Sequence, residues 1–155
     1  MFRPMRRGRQ QLPEAECIEI LQHEPRGVLS VLGDEGYPYG VPMDFWYCPA
    51  DGKLYFHCAR QGHKLDAITG CDKVSFCVCD QGYREEGQWA LNFRSVIVFG
   101  RIRQVEPDEK ILQALAEKFT SDAAYTASEI RNHISRVALL ALTPEHITGK
   151  RVQES

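Results

Sequence analysis

The 155-residue chain is short of several things that would have assigned it quickly. No run of about 18 apolar residues occurs, so no membrane-spanning helix is predicted. The basic first residues, with Arg3, Arg6, Arg7 and Arg9, are not followed by an apolar stretch, so a secretory leader is not expected and a cytoplasmic location is. Net charge is only −2, which supplies no broad field for a polyanion and argues against nucleic acid as partner; the four arginines read as a solvated tail. There is no CxxC, GxSxG, HExxH, GxxxxGK[ST] or GxGxxG, which removes the common zinc, hydrolase, zincin, P-loop and dinucleotide-fold readings. Repeats, low-complexity stretches and interdomain linkers are missing too, and one domain over residues 1–155 is expected.

What is present is a run of β-rich segments between turn residues. VLSVL (28–32), YPYGVPMDFW (37–46), KLYFHC (53–58), KVSFCVCD (73–80), FRSVIVFGRIRQVE (93–106) and RVALLALT (136–143) read as six strands, and PEHITGKRV closes the chain. Helices are expected from Pro13 to Pro25, around 63–70, from Pro107 with Ile111, Leu112, Leu115 and Phe119 on one face, and near 122–134. Absence of βαβ alternation excludes a doubly wound sheet. The expectation is a mainly β, small closed antiparallel barrel of six strands with flanking helices. Pro38 and Pro42 cannot donate to a ladder, so the second strand should have an irregular or ligand-facing side, and Gly100 marks a bend in the longest strand.

The six cysteines (17, 48, 58, 71, 77 and 79) read as reduced thiols. Cys77 and Cys79 share a strand face but lack metal-site spacing, so no metal is expected. Cys58 beside His57 is not a nucleophile–base pair, because neighbours in a strand project to opposite faces. More informative is HCARQGHKLDAI (57–68), where a strand gives way through Gly62 to a helix that opens with His63 and Lys64. Uncapped N–H groups, a positive helix pole and an ammonium at one point describe an anion pocket. An ordinary strand-to-helix turn with a solvated lysine has the same residues. The strand YGVPMDF and the polar start of the long strand, Arg94 and Ser95, add hydrogen-bonding groups suited to a flat heterocycle.

RGVLSVLGDEGYPYGVPMDFWY, KLYFHCARQGHKLDAI, WALNFRSVIVFGRIRQVE and LLALTPEHITGKRV, in this order and spacing, resemble the Nim group of 5-nitroimidazole-resistance proteins, within the pyridoxamine 5'-phosphate oxidase-like superfamily of flavin-binding split barrels. The similarity runs from MFRPMRR to HITGK. It implies a homodimer of split barrels with FMN at the subunit interface. Its phosphate would lie at His63 and Lys64, its ring against Val41, Pro42 and Met43, with Ser95 in the same cleft and His57 near the reactive face. It also implies an FMN-dependent oxidoreductase that passes electrons from a reduced nicotinamide, NAD(P)H, to a small flat acceptor such as a nitroimidazole. FAD or a deazaflavin would satisfy the same phosphate cradle. An alternative is a flavin- or haem-binding split barrel without dedicated reductase activity. Oxidation of pyridoxamine 5'-phosphate itself fits less well, since the C-terminal part lacks the Trp- and Arg-bearing ending that those oxidases use on substrate phosphate.

Overall fold

The computed structural model describes residues 1–153. Its frame is one antiparallel sheet of seven strands: β1 (Arg26–Leu32), β2 (Pro38–Asp44), β3 (Trp46–Tyr47), β4 (Leu54–Ala59), β5 (Lys73–Cys79), β6 (Phe93–Val105) and β7 (Val137–Val152), in the spatial order β2-β1-β5-β6-β7-β4-β3. Four α-helices accompany it: α1 (Glu14–His23), α2 (His63–Gly70), α3 (Glu109–Glu117) and α4 (Ala123–His133).

Seven strands stand where six are expected because the second predicted strand changes partner. Up to Asp44 it pairs with β1; from Trp46 it pairs with β4. Phe45 is the corner between the two. Its ring is fully buried and meets Phe76 edge to face at 4.9 Å, and Phe76 meets Phe56 in the same way at 5.0 Å. The two ends of the sheet are thereby joined through one chain segment, which curls it into a barrel. β2 and β4 do not pair with each other, and the barrel is split between them. Pro38 and Pro42 are tolerated because β2 is an edge strand.

The last strand also outruns its expected end at Thr143. Pro144 falls where the β6–β7 register shifts, opposite Gly100, so the ladder absorbs a residue without an N–H. A Cβ on Gly100 would collide with the Thr143 carbonyl. β7 then continues past Gly149, whose missing Cβ leaves room for Cys17 and Leu12.

Burial alternates along the strands in the period-two pattern, eBeBiBe in β1 and eBiBeBe in β5, so one sheet face forms the core. Leu29, Phe56, Val96, Val98 and Leu140 lie inside, covered by Ile20 and Leu21 of α1 and by Leu65 and Ile68 of α2. A second, smaller core lies on the opposite face of β4 and β7. There Leu112 and Leu115 of α3 cover Tyr55, Leu139 and Ala141. Phe119, expected to continue that apolar stripe, is exposed because the helix ends at Glu117. Arg3, Arg6, Arg7 and Arg9 are exposed, while Phe2 folds back to stack on His146 at 4.4 Å.

Candidate cofactor cleft at the split of the barrel

The split is where the functional candidates gather. α2 begins beside it at Gly62, which has φ 145° and ψ 170°, a conformation that glycine adopts at little cost. A Cβ on Gly62 would meet nothing within 4 Å, so the glycine serves the turn, and the space before the helix is open. No side chain caps α2; its first internal bond is Asp66 N–H to Gly62 C=O at 3.2 Å. The preceding N–H groups therefore point outward, toward the open space.

His63 and Lys64 divide their tasks. The His63 ring stacks on Tyr39 at 4.2 Å, and its Nε2 accepts the Asp34 N–H at 3.1 Å, with the Asp34 carboxylate at 3.6 Å. It thus ties the start of α2 to the β1–β2 turn. Lys64 directs its ammonium across the split to β2, where Nζ donates to Met43 Sδ at 3.4 Å. A thioether is a weak acceptor, so among the described residues this cation lacks a strong one. Met43 is buried and Val41 packs against the core, while Pro42 has the opposite parity and lies exposed on the outer sheet face across from Val28.

His57 lies on β4 with its neighbours Phe56 and Cys58 turned to the other side. Although its surface is exposed, the surrounding protein desolvates the ring enough to lower its pKa. Asp44 opposes this shift and Lys64 reinforces it. The adjacent Cys58 thiol is pushed up by burial against a smaller lowering from Lys64. Asp44 itself is held by Arg26 at 2.7 Å.

One further cation was not singled out in the sequence. Lys118, just beyond α3, donates to the Phe45 carbonyl at 2.9 Å and places Nζ 3.8 Å over the Phe45 ring. Burial lowers its pKa to about 8, against the raising influence of Asp44 and Glu24. No local pattern marks it, because the contact spans 73 residues. Tyr39 belongs to the GYPYGVPMDF stretch, but its stacking depends on where α2 begins.

Val41, Met43, His63 and Lys64 are therefore assembled at one split, with His57 beside it. Ser95 is elsewhere: it sits on β6 opposite Cys79 and Lys150, and β1 and β5 separate β6 from β2, a span of roughly 14 Å at the usual strand spacing. It faces outward with Ile97 and Phe99. An uncapped helix start, an open glycine turn and an ammonium without a strong acceptor are a donor set that fits a phosphate.

A curled antiparallel sheet with a cationic split of this kind defines a split-barrel protein. The family model for pyridoxamine 5'-phosphate oxidase matches residues 13–151, and the chain belongs to that family. Among curated proteins, no sequence matches it significantly. Similar solved structures include a candidate 5-nitroimidazole antibiotic resistance protein of Bacteroides thetaiotaomicron, at TM-score 0.73 and 19% identity, covering 93% of this chain and 90% of that one. A FAD-binding protein of Mesorhizobium loti matches at TM-score 0.65 and 21% identity over 94% and 97% of the two chains. A FAD and haem binding protein of Mycobacterium smegmatis matches at 0.74 and 20% over 94% and 74%. These likenesses establish the shared fold.

Proposed function

We propose that the protein is a flavin-dependent oxidoreductase of the split-barrel type, with FMN as cofactor and a nitroimidazole-like molecule as a competent acceptor. The observation that carries the reading is Lys64, whose ammonium meets, among the described residues, only a thioether beside the uncapped start of α2. His63 sets the helix start against Asp34 and Tyr39, Lys64 and the α2 N–H groups hold the phosphate, and Val41 with Met43 forms the wall for the ring system. A bound flavin supplies hydride acceptance from a reduced nicotinamide and electron delivery to a small acceptor. His57, kept neutral by desolvation, offers a hydrogen bond at the edge of the same split.

The active form in this reading is a homodimer. Val28, Cys77 and Ile97 stand opposite one another across β1, β5 and β6, and all three are exposed, with Phe99 beside them. A second copy on this face removes that apolar strip from water and brings Pro42 and Ser95, which lie on it, into the interface. The test is an absorbance spectrum and parallel FMN and FAD titrations of the purified chain, followed by NADH-dependent reduction of a nitroimidazole. Saturable flavin binding with acceptor turnover supports the reading; absence of flavin binding at millimolar cofactor refutes it. Sedimentation tests the dimer: Ile97→Glu should give a monomer with weakened flavin affinity.

A further inference from the structure

The α3–α4 hairpin does not close fully over β4 and β7. α3 brings Leu112 and Leu115 down onto the sheet, but α4 has the sequence AAYTASEIRNH, and its one buried residue is the short Thr126. Alanines and a threonine cannot reach the strands as a leucine would, and a cavity of about 280 Å³ is left between the helices and the sheet. Its walls are almost wholly carbon, from Leu112, Leu115, Ala116, Ile130 and Val137. Its polar groups include His57 of β4, and Glu129 and His133 of α4, the last two paired at 3.3 Å and half exposed. His57 is thus shared between this cavity and the split. On one side it feels Lys64 and Asp44; on the other it lines the apolar chamber.

We propose that this chamber is the acceptor pocket of the enzyme, taking a small, uncharged, monocyclic aromatic or heteroaromatic molecule whose one polar substituent hydrogen-bonds to His57. The inference rests on the oxidoreductase reading above for the word acceptor, but the binding site stands on the cavity itself. Volume sets the size class: the space is about twice that of the ~150 Å³ apolar cavity that holds benzene. Carbon walls set the polarity, since a charged ligand would lose most of its hydration there, and the lining groups Glu129 and His133 already engage each other at 3.3 Å. Glu129 adds a reason against anions. The Lys118 contacts to Phe45 hold the α3 end of the roof on the β2–β3 corner, so the chamber has a fixed ceiling on that side.

The test uses 4-fluoronitrobenzene as probe, followed by ¹⁹F NMR on the full chain, with 4-fluorobenzoate as its charged counterpart. Wild type should bind the nitro compound saturably and the benzoate at least tenfold more weakly. Thr126→Leu and Ala116→Leu, which fill the chamber, should each weaken the nitro compound at least tenfold, and His57→Phe about fivefold. Equal binding of the two probes, undiminished binding by a folded chamber-filling variant, or no saturable binding by wild type overturns the proposal. Should both filled variants fail to fold, the probe pair on wild type and His57→Phe decides alone. The readout does not require flavin. Probe binding without flavin binding would therefore sink the oxidoreductase reading and leave the chamber, while flavin binding without probe binding would do the reverse.

Discussion

Replacing Lys64 by Met separates a functional lysine from a structural one, because the two roles give opposite signs. Lys64 is the second residue of α2, and a cation in a first turn opposes the helix dipole by about 0.3–1 kcal/mol. Its one side-chain hydrogen bond goes to the Met43 thioether, so its loss costs little, and methionine matches lysine in helix propensity and stem length. The flavin-free variant should therefore be as stable as wild type or more stable, by up to about 1 kcal/mol, a gain of roughly 2–4 °C in Tm for a chain of this size. Flavin affinity should move the other way. A charge-assisted hydrogen bond to phosphate contributes about 1.5–3 kcal/mol, so Kd should rise roughly 10- to 150-fold. Differential scanning fluorimetry without cofactor and a flavin fluorescence titration measure the two quantities. A variant that loses more than about 1 kcal/mol of stability and binds flavin unchanged would show that Lys64 is a packing residue and that the cradle lies elsewhere.

His57 should titrate below the ordinary histidine value by NMR; Lys64→Met should raise the midpoint by removing a neighbouring cation, and Asp44→Asn should lower it further. Because its folded pKa is depressed, the unfolded chain binds the extra proton between that value and about 6.5; stability conferred by neutral His57 is lost as pH falls through this window, and His57→Phe should flatten the slope. Lys118 has the corresponding sign at high pH. With the folded pKa down to about 8, wild type should gain on Lys118→Met by up to about 3 kcal/mol between pH 7 and pH 10.5 in urea melts, and a constant gap would refute the burial of that charge. Arg94→Leu removes the guanidinium from Asp80, at 2.9 Å, which keeps the residue-94 N–H, and from Glu16, at 3.1 Å, which keeps Arg151; it should cost about 1.5–3 kcal/mol in the same melts. Gly27→Ala should be at least as damaging, since its Cβ would enter the space of Phe76 and come within 2.7 Å of the Cys77 carbonyl.

The strands and helices were largely legible because period-two burial and turn residues are local signals. The break at Phe45 was not, since DFWY reads equally well as one strand; only the location of β1 and β4 decides that Asp44 and Trp46 pair with different neighbours. The continuation of β7 was hidden for a related reason. Pro144 and Gly149 look like punctuation in the sequence, but one occupies a bulge opposite Gly100 and the other makes room for α1. At the site, Gly62, His63 and Lys64 were visible as a junction. Their division of labour was not, because it depends on Tyr39 and Asp34 arriving from the β1–β2 hairpin.

The change of partner at Phe45 also explains why a site lies there. A strand that left β1 and continued straight would end the sheet as an ordinary edge; by turning at Phe45 to join β4, it closes the barrel at one end and leaves β2 and β4 apart at the other. Into that gap comes the start of α2, with an open glycine turn and unpaired N–H groups, while Lys118 secures the corner from the opposite side through the Phe45 carbonyl. Two cations, Lys64 and Lys118, thus bracket a segment whose own carboxylate, Asp44, is already engaged by Arg26. Positive charge left over at the split is a consequence of the topology. It costs folding stability at Lys118, where burial opposes the charge, and it becomes useful only when an anion arrives at Lys64.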